Sequence, residues 1–179
     1  MLTAADEIAA GPVVLRRWRP GDADALYRAV SESLEHLAPW MPWAVNGYST
    51  AEAAAYVARA AEVWGTDYDY GIVAPGEVIV GCCSLMGRIG DGGFEIGYWV
   101  HPRHTRRGYA TAAAAALTAE AFRIGADRVE IVHDVANVPS GSVPRGLGFT
   151  EVDRRIPQDE RTAGEAGLDV VWRLVPGAR

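Results

Sequence analysis

The 179-residue chain is 49% hydrophobic and carries 23 acidic against 17 basic side chains, a net charge of −6. That supports one domain with a sizeable core, is too short for two comfortable ones, and excludes a general nucleic-acid binder, which needs a basic face. No apolar run approaches the roughly 20 residues of a membrane span, and the first ten residues lack the basic and apolar regions of a secretory leader, so a cytoplasmic protein acting off the membrane is expected.

In chain order, residues 1–12 read as a lead-in and 13–179 as the domain. Val13–Trp18 has the composition of a first strand; Pro20 and Gly21 turn the chain and Asp22 caps a helix over Ala23–Ser31. Residues 33–48 hold two prolines and two tryptophans, which exclude one continuous helix and predict a loop with aromatic mass. Trp40 and Trp43 either plug the core edge or wall a binding pocket. Ser49 or Thr50 then caps a helix over Ala51–Trp64, with Glu52 in its first turn. Asp69–Ala74 and Val78–Leu85 read as strands joined at Pro75-Gly76. Cys82 and Cys83, being adjacent on a strand, point to opposite faces and suit neither a metal nor a disulfide; both read as small buried residues, and no metal site is expected.

The stretch that organises the chain is Phe94–Thr111, F-E-I-G-Y-W-V-H-P-R-H-T-R-R-G-Y-A-T. Its first half is aromatic and β-branched and stops at His101-Pro102, as a strand does. Three arginines, Arg103, Arg106 and Arg107, follow and run into Gly108 and an alanine-rich helix over Ala112–Arg123. A helix N-terminus offers unpaired N–H groups and the positive end of the dipole, and glycine lets a phosphate approach the main chain. Gly125 stops the helix, and Arg128–Asp134 is the next strand. Strand, helix, strand predicts a parallel crossover pairing 94–100 with 128–134, with the basic loop at the carboxyl ends where ligands bind. A short helix over Asn137–Leu147, strands over Phe149–Arg155 and Leu168–Val175, and a flexible loop at 157–167 complete the chain.

The run E-I-G-Y-W-V-H-P followed by R-R-G-Y-A-T closely resembles the acetyl-CoA pyrophosphate loop of the GCN5-related N-acetyltransferases (GNAT). Gly108 and Ala110 match that pattern, while Thr105 stands where the family has Gln or Arg. The following helix and N-V-P-S-G-S-V-P-R-G-L-G-F at 137–149 also fit, and P-W-M-P-W at 39–43 is similar to the RimJ/RimL branch, whose members acetylate protein N-terminal or small amines. The likeness spans about residues 13–174. It implies a single-domain α/β GNAT-like fold: a central mixed, mostly antiparallel sheet of six to seven strands, a parallel pair splayed at the cofactor site, and about four helices.

It also implies transfer of an acetyl group from acetyl-CoA to a primary amine by direct attack in a ternary complex, by a monomer or homodimer. Cofactor contacts fall on Trp99, Val100, His101, Arg106, Arg107, Gly108, Tyr109, Ala110, Thr111, Asn137 and Ser140. Acceptor contacts fall on His36, Trp40, Trp43, Tyr98 and His133. An ammonium must lose a proton before it attacks. Glu95 matches a catalytic glutamate of some members, with an ion pair to an arginine as the alternative role; His36, His133 and Asp134 are further candidates. The tyrosine that many members place seven residues after the asparagine is Pro144 here, so Ser140 is the candidate beside the leaving thiol. Asn137 either binds the pantetheine arm or caps its helix. The departures at Thr105 and Pro144 leave a second reading open, a non-catalytic acyl-CoA-binding module.

Overall fold

A computed structural model describes residues 2–177. Eight strands, β1 (Glu7–Ala10), β2 (Val13–Arg17), β3 (Asp67–Ala74), β4 (Val78–Met86), β5 (Gly93–Val100), β6 (Arg128–Asp134), β7 (Thr150–Arg155) and β8 (Asp169–Leu174), form one sheet. Their order is β1-β2-β3-β4-β5-β6-β8-β7, and among the described residues β5–β6 is the parallel pair. The helices are α1 (Ala23–Ser31), α2 (Leu34–Leu37), α3 (Thr50–Glu62), α4 (Tyr109–Arg123) and α5 (Val138–Gly146).

Strand alternation divides the core. Ile96 and Val100 of β5 pack with Ala113, Ala114 and Leu117 of α4 on one face of the sheet. Trp99 of β5 packs with Leu26 and Val30 of α1 and Val57 of α3 on the other. Half of the buried residues of α4 are alanine (Ala113, Ala114 and Ala121), whose small side chains let the helix lie close to the strands. Cys82 joins the α1/α3 layer and Cys83 the α4 layer, as their adjacency on β4 requires. Burial disfavours the thiolate of each, and pushes the Cys82 thiol up to about 12.

α3 starts where local chemistry dictates. Ser49 Oγ accepts the Glu52 N–H at 3.1 Å while Glu52 accepts the Ser49 N–H at 2.7 Å, a reciprocal cap worth about 1 kcal/mol.

Four expectations change. The lead-in contains β1, which pairs with β2 through the turn at Gly11, because Ala10 adds buried apolar surface to the sheet. The 33–48 loop contains α2 and a 3₁₀ turn over Pro42–Ala44. α4 begins at Tyr109 rather than Ala112, since the left-handed Gly108 (φ 75°) sets its start. Finally, the 157–167 loop is tied down. Pro39 O accepts from Thr162 Oγ1 and from the Gly164 N–H at 3.0 Å, and Asp134 receives the N–H groups of Ala166, Gly167 and Leu168.

Candidate active site

β5 and β6 pair only from Gly93↔Arg128 to Ile96↔Ile131. Beyond that point β5 continues to Val100 against β4, and β6 continues to Asp134 against β8. The facing edges of Gly97–Val100 and Val132–Asp134 therefore part into a wedge with unpaired main-chain groups, which a ligand able to pair with a strand edge can satisfy.

The basic loop closes the wide end. Thr105 Oγ1 donates to Pro102 O at 2.9 Å, Arg106 adopts φ 62° and Gly108 φ 75°, and α4 follows at once. Ala112 N is the first helix amide to bond back, to Gly108 O at 2.9 Å, so the N–H groups of Tyr109, Ala110 and Thr111 have no helical partner. A Cβ added at Gly108 would meet no protein atom within 4 Å, so the space in front of these amides is open. Arg106 and Arg107 are exposed and, among the described residues, pair with no carboxylate. Unpartnered amides, a helix dipole and free guanidinium groups fit a diphosphate.

His101 has a different part from the one expected. It is 6% exposed, its N–H donates to Val80 O at 2.8 Å, and its ring bonds Glu32 at 3.0 Å and accepts the Arg103 N–H at 3.2 Å. With backbone and ring nitrogens engaged, it fastens the loop to the end of α1 rather than facing a phosphate.

On the opposite wall, the Tyr98 hydroxyl crosses from β5 to α5, donating to Ser140 O at 2.9 Å and lying 3.3 Å from Ser140 Oγ. Burial pushes this phenol up to about 12. Asn137 caps α5 by accepting the Ser140 N–H at 3.3 Å. Its side-chain amide keeps its donors for a ligand. His133 is held on both sides: Nε2 accepts the Trp172 indole N–H at 2.9 Å, and Nδ1 bonds Asp134 O at 2.8 Å. It has no free lone pair to take an acceptor proton. Gly141 allows α5 this close, because a Cβ there would sit 2.6 Å from the imidazole.

The wedge opens into a cavity of about 1030 Å³ on the α1/α3 face, lined by Trp40, Trp43, Tyr98, Trp99, His133, Asn137, Ser140 and Glu95 among others. Trp43 is 43% exposed, with its ring 5.8 Å from Tyr48 and 6.5 Å from Trp99. His36 is exposed on α2 and does not line the cavity, a correction to its expected place at the acceptor. Glu95 is 6% exposed and its two oxygens are bonded by Arg88 Nε, at 3.1 Å, and Nη2. It is thus an ion-pair partner. For Asp134, burial alone would raise its pKa, but four backbone N–H donors, from Ala136, Ala166, Gly167 and Leu168, outweigh burial and hold it below the ordinary value. So saturated a carboxylate is a loop clamp and a poor base.

Arg88, Asp69, Ser84 and Tyr56 also line this cavity, and sequence reasoning passed over all four. A signal was present for one of them. Asp69 is an acid between Tyr68 and Tyr70, followed by the apolar run Gly71–Ala74, a place where a functional or paired carboxylate is expected.

Comparison with known proteins agrees with this geometry. The family described as "Acetyltransferase (GNAT) domain" matches residues 13–150. "Putative ribosomal N-acetyltransferase YdaF" of Bacillus subtilis (strain 168) is 30% identical over 148 residues, 78% of each chain. Mycobacterium smegmatis RimJ, solved in complex with CoA-disulfide, is 26% identical with a TM-score of 0.82, covering 98% of this chain and 88% of RimJ. RimL, a ribosomal L7/L12 alpha-N-protein acetyltransferase solved with coenzyme A, has the same fold, at 22% identity and a TM-score of 0.86, covering 97% of this chain and 99% of RimL. Parted strands, a phosphate-ready loop and these likenesses converge: the chain belongs to the GNAT family, RimJ/RimL-like, and is an acetyl-CoA-dependent N-acetyltransferase.

Proposed function

We propose that the protein acetylates a primary amine, carried on a protein N-terminus or a small molecule, by direct attack on acetyl-CoA in a ternary complex. The observation that carries this reading is the continuity of the wedge with the cavity. Its cofactor end is the basic loop at Arg106–Thr111, and its acceptor end is acidic, with eight Asp or Glu against two Arg, Arg59 and Arg88, among the lining residues. An amine in water is mostly a cation, and an acidic lining concentrates it.

Each part of the chain then has a task. The amides of Tyr109, Ala110 and Thr111, with Arg106 and Arg107, hold the diphosphate; the free edge of Gly97–Val100 pairs with the pantetheine arm and supplies an N–H to the thioester carbonyl. Trp99 and Val100 form the floor at that point, and Asn137 donates to the arm. The Ser140 hydroxyl, steadied by Tyr98, lies beside the departing thiolate. Trp40 and Trp43 wall the acceptor. The names of the ribosomal relatives favour a protein N-terminal amine over a free metabolite.

The test is thiol release from acetyl-CoA with peptides that begin with Ser, Ala or Met, set against small primary amines. Release with at least one peptide is expected. Calorimetric binding of coenzyme A without release from any acceptor would overturn the reading in favour of a non-catalytic acyl-CoA-binding module.

A further inference from the structure

We propose that Asp69, a residue of β3 two strands in from the wedge, receives the acceptor ammonium and takes its proton. The proposal rests on the acetyltransferase reading and assigns the acceptor side of the same site.

Among the described residues five acidic side chains are buried: Asp69, Glu95, Glu120, Glu130 and Asp134. Four of them are satisfied. Glu95 is bonded by Arg88, Glu120 by Arg123 at 2.6 Å, Glu130 by Arg173 at 2.8 Å through Nε, and Asp134 by its four amides. Asp69 differs. It is 5% exposed and is held by hydroxyls rather than by a cation: Ser84 Oγ donates to it at 2.5 Å, and the Tyr56 hydroxyl lies on the same side. Among the described residues no arginine or histidine lies within 4 Å of it. A buried carboxylate without a cation is costly unless it is neutralised or a cation arrives from outside.

The place of Asp69 in the sheet says which cation. Asp69, Ser84 and Gly97 are direct neighbours across β3, β4 and β5. Gly97 is the first residue of β5 beyond the last pairing with β6, where the wedge begins. The strands are spaced about 4.8 Å apart, so the Asp69 backbone lies about 10 Å from that point. Ser84 and Gly97 are small residues on the same face, the flexible Met86 side chain covers Gly97, with its methyl 3.0 Å from where a Cβ would stand, and Asp69, Ser84, Gly97 and Met86 all line the cavity. An ammonium bonded to Asp69, directly or through one water, sits on the path to the free edge of β5.

The surrounding groups set its proton affinity. Burial is the largest influence and raises the Asp69 pKa; Asp67 on the same strand adds to this, while the Ser84 hydroxyl, Arg59 and the Tyr56 hydroxyl of α3 oppose it. Two β4 thiols complete the titratable surroundings: Cys82, bonded to Tyr56 at 3.1 Å, and Cys83, both pushed up by burial. A carboxylate whose pKa is raised accepts a proton more readily than an unperturbed one.

In the step itself an N–H bond of the ammonium breaks and its proton passes to Asp69 Oδ. The freed lone pair forms the C–N bond at the thioester carbonyl, the C–S bond breaks, and the sulfur leaves with its electron pair; the new amide nitrogen sheds its second N–H proton, which passes to the thiolate beside Ser140. Asp69 then returns its proton to water in the cavity.

Asp69→Asn keeps the size and the Ser84 contact but removes the charge. It should lower kcat/KM for the acceptor at least 100-fold and remove the acidic limb of the pH–rate profile, with coenzyme A affinity by calorimetry unchanged within twofold. Ser84→Ala should move that limb to higher pH. A readout independent of turnover is the carboxyl ¹³C titration of Asp69 in the unaltered protein, assigned by its loss in Asp69→Asn. Butylammonium chloride should lower its midpoint relative to sodium chloride at equal ionic strength. A midpoint indifferent to butylammonium, or Asp69→Asn turning over at the original rate, overturns the proposal. Loss of coenzyme A binding in the unaltered protein sinks the acetyltransferase reading instead, and leaves the titration to judge Asp69.

Discussion

The hydroxyl of Tyr98 spans the gap where β5 and β6 part, donating to the main chain of Ser140 at 2.9 Å and approaching its side-chain oxygen at 3.3 Å. One phenol thereby links the two walls of the wedge and orients the Ser140 hydroxyl, the group proposed to lie beside the leaving thiol. The family's helix tyrosine is absent, since Pro144 stands in its place. Here a strand residue, Tyr98, brings a phenol to Ser140 on the same helix.

Tyr98→Phe removes this tether at a cost of about 1 kcal/mol, which corresponds to about a fivefold fall in kcat. Coenzyme A affinity should change less than twofold. In Tyr98→Phe combined with Ser140→Ala the losses should not add, because the phenol acts through the serine. Additive losses in steady-state kinetics would mean that the two hydroxyls act separately.

Gly108 is exposed at φ 75° with open space before it. Gly108→Val places a β-branched residue in the left-handed region, a strain of about 1–2 kcal/mol, and sets its methyl groups on the phosphate path. Coenzyme A affinity should fall at least tenfold by calorimetry, with Tm lowered by about 2–6 °C. Gly108→Asn tolerates the conformation and keeps the obstruction, so it should retain Tm but still lose affinity. Full affinity in Gly108→Asn would place the diphosphate elsewhere.

Asp134 couples the loop over 166–168 to the end of β6 through its ionised carboxylate. Its folded-state pKa is depressed, so its contribution to stability is present above the unfolded value, about 3.9, and is lost as pH falls through the folded value. Asp134→Asn should cost about 2–4 kcal/mol at pH 7 in urea unfolding. The gap to the unaltered protein should narrow as pH falls below 4. A gap that stays constant with pH would show that charge is not what Asp134 contributes.

The loop proposed to hold the cofactor is determined by contiguous sequence. Strand, basic turn, Gly108 and helix occupy Phe94–Thr111 without interruption, and a diphosphate site of this kind is made from main-chain amides whose arrangement follows from local turn and cap chemistry. The parallel crossover was legible for a similar reason, since strand, helix and strand in sequence leave one handed solution. The acceptor side was decided only by tertiary structure. Ser84 meets Asp69 across 15 residues, Tyr98 meets Ser140 across 42, and Thr162 meets Pro39 across 123. The sequence singled out Glu95 as a carboxylate but held no record that Arg88 bonds it, nor that Asp69 remains without a cation. Which buried charges are paired depends on strand register and helix docking, and these are settled by burying apolar surface across the whole sheet rather than by any local signal.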